Sequence, residues 1–140
     1  MMISVPSDSK MDNEKLERLI LKLGENMEGQ PGFWQFEFAQ RRLICLTDES
    51  HDRMRLMTPV ATSEHLSPEL VLECLKANFD RALDARYCLN GDTLWTAFIH
   101  PLGSLSSTQF ASACSQVVEA ANNFGSTFSS GGLSFNTDII

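Results

Sequence analysis

The sequence lacks the short motifs through which most enzymes announce themselves. It has no G-x-S-x-G nucleophile elbow, no P-loop and no G-x-G-x-x-G run, so no local geometry for exposing a nucleophile or cradling a phosphate is marked. Gly131-Gly132 is an isolated pair with no helix pattern after it. Cysteine is sparse: Cys45, Cys74, Cys88 and Cys114 are far apart, each inside an apolar pattern, with no C-x-x-C pair. That spacing suggests neither a zinc site nor a dithiol redox motif and points to buried free thiols in a reducing compartment. Positive charge is short too. A net charge of −7 argues against a nucleic-acid binder, because phosphate neutralisation supplies most of that affinity. The acidic balance suits solubility and a basic partner. Met1–Lys10 lacks the apolar core of a signal peptide, and no apolar run approaches the roughly 18 residues needed to span a bilayer. The expectation is a cytoplasmic, soluble protein with no cofactor, no metal, no nucleic acid and no membrane as partners.

What is present is well-marked architecture. The 140 residues suit one domain, with residues 1–8 polar and expected to be mobile. Leu16, Leu19, Ile20, Leu23 and Met27 recur at helical spacing and predict a helix over Lys10–Met27, with Ser9 and Asp12 as a capping box and Gly29, Pro31 and Gly32 as its stop. Phe33–Phe38 alternates, with Trp34, Phe36 and Phe38 on one face and Gln35 and Glu37 on the other. Arg42–Thr47 is nearly continuously apolar, which predicts a central strand covered on both faces. Arg53–Thr58 reads as a third strand closed by Pro59. Ser67 as N-cap, Pro68 at the first helical position and Glu69 beside it start a second helix running to Ala82, with Leu66 and Val71 as a hydrophobic staple. Its broad apolar face is Val71, Leu72, Leu75, Phe79, Ala82 and Leu83. Asn90-Gly91 then predicts a type I′ hairpin joining Ala85–Leu89 to Thr93–His100. The second of those strands is apolar on both faces, so helix is expected on one and the tail or a second subunit on the other. Ser106 with Gln109 (a capping box) and Leu105 with Phe110 (a staple) open a third helix that Gly125 ends. The Ser/Gly-rich tail, residues 126–140, carries Phe128, Leu133, Phe135, Ile139 and Ile140, and is expected to pack in part, with a short strand at Leu133–Phe135. The fold class is therefore α+β, an antiparallel sheet with helices in the order α-β-β-β-α-β-β-α.

Candidate chemistry is thin. Asp48, Glu49, His51 and Asp52 form an acidic cluster that matches no EF-hand loop and reads as a solvated turn. A scattered Ser/His/Asp or Cys/His set stays open, with His100 near Asp84 or Asp92 as the arrangement to look for. Arg41-Arg42 with Arg53 and Arg55 would form a small positive patch if their strands are neighbours, suited to an anionic partner segment; solvated strand-face charge is the plainer reading. The large apolar side chains exceed what one sheet face needs, so either two helix layers cover the sheet or part of it meets a partner. The expected partner or dimer surface is Trp34, Phe36, Trp95, Ala97 and Ile99.

The segment Leu66–Phe124 carries a resemblance to a known family. A Ser-Pro-Glu helix start is followed by Ala82-Leu83-Asp84-Ala85-Arg86-Tyr87, by Leu94-Trp95 through His100-Pro101-Leu102, and by the last helix. It resembles the type III secretion chaperone-like fold of bacterial proteins, which includes class I secretion chaperones and the YbjN-type group; residues before Leu66 match only in element order. The resemblance implies a homodimer that binds polypeptide segments along its surface and has no enzymatic activity. Two other readings stay open: a small-molecule sensing domain of the same fold, with a pocket lined by Trp34, Trp95 or Tyr87, and an enzyme.

Overall fold

The computed structural model describes residues 10–80 and 82–124. Within these residues the expected order appears, with one further short strand. Helix α1 is Asn13–Leu23; strands β1 to β4 are Glu25–Gln30, Phe33–Phe38, Arg41–Asp48 and Arg53–Thr62; helix α2 is Pro68–Asp80; β5 and β6 are Arg86–Asn90 and Thr93–His100; helix α3 is Ser107–Asn122. The strands form one six-stranded sheet in the order β1-β2-β3-β4-β6-β5, antiparallel at every pairing.

Helix α1 is shorter than its periodicity suggests. Asp12 is the N-cap, its carboxylate accepting from the Lys15 N–H at 2.9 Å, while Ser9 lies outside the described residues. The helix ends at Gly24, whose N–H reaches the Ile20 carbonyl. A Cβ there would stand 2.4 Å from Phe36 Cδ2, so the chain can turn tightly onto β2 only with glycine at this position. Met27 belongs to β1, not to the helix. Gly29 in β1 has φ 119° and no room for a side chain against the Phe33 carbonyl.

Pro59 does not close β4. The strand runs on to Thr62 through a bulge between Pro59 and Ala61, the irregularity at which a residue without an N–H is tolerated inside a ladder. The β5–β6 hairpin pairs Asn90 with Thr93, so its two loop residues are Gly91 and Asp92. Of the residues at this turn only Gly91 has positive φ, 62°. Glycine at the first loop position is the type II′ pattern, in place of the expected type I′. The β2–β3 hairpin carries the type I′ pattern, and without glycine: Ala39 and Gln40 have φ of 51° and 68°.

All three helices pack on one face of the sheet. The main core joins Leu16 and Ile20 of α1, Trp34 and Phe36 of β2, Leu43 and Cys45 of β3, Met54 and Leu56 of β4, Phe98 of β6, and Phe110, Ala113, Cys114, Val117 and Val118 of α3. Helix α3 starts with the expected capping box of Ser106 and Gln109. Its predicted stop, Gly125, lies outside the described residues, as do residues 1–8 and the tail strand expected at Leu133–Phe135. A second cluster seats α2 on the β5–β6 edge through Cys74, Ala77, Tyr87, Leu94 and Ala120. Several buried polar groups between helix and sheet are satisfied, Asp80 Oδ1 of α2 being an exception. The Tyr87 hydroxyl donates to the Ala120 carbonyl at 2.6 Å, Thr96 Oγ1 to the Val117 carbonyl at 2.9 Å, and the Gln116 amide oxygen accepts from the Asp84 and Ala85 N–H groups.

Candidate functional site

With the helices on one side, the other face of the sheet is bare among the described residues. Residues directly opposite in antiparallel ladders share a face, so the register reads the bare face off in rows. One row is Phe33, Leu46, Arg55 and Ile99; the next is Gln35, Ile44, Met57, Ala97 and Arg86; a third pairs Glu37 with Arg42 and Trp95 with Cys88. The centre of this face is apolar. Ala97 is buried by its neighbours, Ile44, Leu46, Met57 and Trp95 are half-buried, and Ile99 and Phe33 remain 54% and 46% exposed. The expectation that β3 is covered on both faces therefore fails among the described residues: Leu43 and Cys45 meet helices, while Ile44 and Leu46 meet none.

The five residues expected to form a partner surface divide between the two faces. Trp95, Ala97 and Ile99 lie together on the bare face. Trp34 and Phe36 do not, because both are fully buried under the helices. Trp34 gives its indole N–H to Glu17 Oε1 at 2.8 Å, and Phe36 packs on Phe110 with ring centroids 6.4 Å apart. They are core residues, and their alternation with Gln35 and Glu37 reflects burial on the helix side.

Arginine frames the bare face. Arg53, Arg55 and Arg86 are exposed, and none has an acidic side chain within ion-pair distance among the described residues. Arg42 is different. It reaches Glu28 at 3.1 Å, Glu37 at 3.9 Å and Gln35 at 3.3 Å. Arg41 points elsewhere, to Asn122 Oδ1 at 2.8 Å and the Pro59 carbonyl, so the patch expected from Arg41-Arg42 with Arg53 and Arg55 forms without Arg41 and gains Arg86. The Cys88 thiol is raised by burial, an effect that nearby Arg55 and Arg86 oppose.

A second exposed apolar surface lies on α2, and here the expected inward face is overturned. The buried residues are Cys74, Ala77 and Asp80. Leu72, Leu75 and Phe79 point outward, 56%, 60% and 76% exposed. At 100° per residue, Leu72, Leu75 and Phe79 fall opposite Leu70, Cys74 and Ala77, so α2 is apolar on two sides and buries the one with small residues. On the flank of this outer side Lys76 and Glu73 pair with each other at 3.4 Å.

The remaining candidates do not assemble. Asp84 and His100 line one open cleft of ≈ 500 Å³ with Ser112 and Thr108. No hydrogen bond joins them: His100 Nδ1 lies 2.8 Å from the Pro101 carbonyl, Asp84 accepts from Gln116, and Ser112 accepts from Gln116 as well. Asp48 binds Ser50 and His51 in an exposed turn. Those bonds, that to Ser50 above all, lower its carboxyl below the usual range. Among the described residues no three His, Cys, Asp or Glu side chains converge as metal ligands. Burial raises the Cys74 and Cys114 thiols to about 11 and about 12, and lifts Cys45 further, so none is an activated nucleophile. Of the aromatic residues considered for a small-molecule pocket, Trp34 and Tyr87 lie on the opposite sheet face from Trp95, so the three do not line one pocket together. No helix of the described residues is long and apolar enough to cross a membrane.

No protein-family model matches the sequence, and no curated protein matches it either. Solved structures do match in fold. One is the Yersinia pestis type III secretion chaperone SycH, solved in complex with a stable fragment of YscM2: TM-score 0.60, 18% identity, 81% of this chain and 98% of that one. Another is from the HopA1–SchA chaperone–effector complex: TM-score 0.58, 14% identity, 78% of this chain and 88% of that one. Neither speaks to the YbjN-type group. Element order, sheet topology and these two structures agree that the chain has a type III secretion chaperone-like fold.

Proposed function

We propose that this chain is a non-enzymatic, cytoplasmic, chaperone-like protein of bacterial type that acts as a homodimer and holds segments of a protein client. One observation carries the reading: three helices cover one face of the sheet and leave the other, apolar at its centre, without cover among the described residues. A contiguous apolar patch of this kind is the ordinary mark of an interaction surface. The solved neighbours are in complex with a protein fragment and with an effector, and the fold is shared. The two apolar surfaces suit different tasks. The α2 ridge of Leu72, Leu75 and Phe79 is itself uncharged, and beside it Lys76 pairs with Glu73, so two copies can meet there with little charge to desolvate. The bare sheet face is the place for a client.

Light scattering, together with binding of a reduced and alkylated unfolded polypeptide, tests this. The expected result is a dimer that binds the polypeptide and loses that binding, but not its fold, on Trp95→Glu. A monomer that binds no unfolded chain refutes it.

A further inference from the structure

Resting on that reading, we infer that the bare sheet face selects client segments in which apolar residues are interspersed with Asp or Glu. Arg55 sits in the row between Leu46 and Ile99, and Arg86 stands across from Ala97. Arg53 extends the set at the start of β4, across from Asp48. The cations are thus laid among the apolar residues, and among the described residues Arg53, Arg55 and Arg86 form no ion pair with an acidic side chain. On this face Glu28 and Glu37 lie at the β1–β2 side with Arg42, and Asp48 ends β3. Strands β4, β6 and β5 present only cations there among their charged side chains, Arg53, Arg55 and Arg86. This part is therefore locally positive in a chain of net charge −7. Arginine suits this role because its planar fork binds carboxylates in two-point fashion and it tolerates apolar surroundings better than lysine.

Other occupants fit less well. A second copy meeting this face by two-fold symmetry would bring the arginine-bearing patch onto itself. The chain's own residues 125–140 carry a single acidic side chain, Asp138. A segment that alternates apolar and acidic residues presents an apolar side to Ile44, Met57, Trp95 and Ile99 and offers carboxylates to Arg55 and Arg86.

The test uses the full chain and two fluorescent synthetic segments. In one, Leu and Phe are interspersed with Asp; the other has Lys for each Asp. Anisotropy titrations are expected to show the acidic segment binding about tenfold more tightly than the basic one, with the preference shrinking as salt rises. Arg55→Glu with Arg86→Glu should abolish or reverse that preference while circular dichroism and the melting temperature stay close to those of the parent. Equal binding of both segments, lost on Trp95→Glu, leaves the proposed function standing and overturns the acidic preference. Binding of neither segment overturns both. Two further results would reassign the face: capture of phosphatidylglycerol vesicles without the acidic segment, or loss of the dimer in the arginine double variant.

Discussion

Replacing Leu75 and Phe79 together by Glu tests the α2 ridge as the dimer surface. In the described protomer these side chains are 60% and 76% exposed, so the change removes little that the protomer itself buries. Full burial of a Leu or Phe side chain is worth about 1.5–3 kcal/mol, and the part still exposed scales this to about 1–2 kcal/mol for each. A two-fold interface loses each contribution twice, which puts the total near 5 kcal/mol before the carboxylates are desolvated. The dissociation constant of the dimer should therefore rise by about three to four orders of magnitude. Sedimentation equilibrium across a concentration series reads this directly, and the double variant should behave as a folded monomer at concentrations where the parent is a dimer. An unchanged dimer in the variant would remove α2 from the interface. A variant that no longer folds would show instead that the outer side of α2 contributes to the fold itself, contrary to its exposure.

Four further outcomes follow from the packing. Gly24→Ala forces a methyl group against Phe36 Cδ2 and the Glu37 carbonyl, and urea unfolding should show a loss of about 1–3 kcal/mol. Ala39→Asn with Gln40→Gly supplies residues suited to the positive φ both positions already hold, and should raise stability by about 1 kcal/mol in the same assay. Tyr87→Phe leaves the buried Ala120 carbonyl without its hydroxyl donor, a loss of about 1–2 kcal/mol by thermal melting. The thiols set the alkaline limit. Unfolded thiols ionise near 9.0, whereas burial holds Cys74 to about 11 and Cys114 to about 12. Between those values the unfolded chain has lost protons that the native one keeps, so stability falls as pH rises above 9.0 and the falls end at the two folded values. Cys114→Ala should make the decline in melting temperature shallower, and an unaltered profile would refute the assignment.

How far the sequence could be read depends on whether the controlling interaction is local. The start of α3 was legible because a capping box is a contact between residues three apart, Ser106 and Gln109. The start of α2 was legible for the same reason, with Ser67 Oγ accepting from the Leu70 N–H at 3.1 Å. Strand β1 was not legible. Glu25–Gln30 has no alternation and little strand propensity, and it becomes a strand by pairing with β2, a tertiary effect that overrides propensity. Asn90-Gly91 marks the hairpin, but the loop lies one residue later because the Asn90–Thr93 pairing leaves Gly91 and Asp92 to turn.

The candidate site shows the same division with more at stake. Period-two alternation says that Trp34 and Phe36 share a face, and that Trp95, Ala97 and Ile99 share one; it does not say whether the two sets share the same face. The register decides. Trp34 lies opposite Cys45, Cys45 opposite Leu56 and Leu56 opposite Phe98, which carries Trp34 to the face of Phe98 and away from that of Trp95. Helix α2 is ambiguous for a related reason. Periodicity finds apolar stripes but cannot rank two of them, and the larger residues, Leu72, Leu75 and Phe79, look like the core. The β5–β6 edge already holds Tyr87 and Leu94, so the helix approaches it through Cys74 and Ala77, where small side chains allow close packing. The volume of the partner already present thus decides which stripe of α2 is buried, and the large residues displaced by that choice become the exposed ridge.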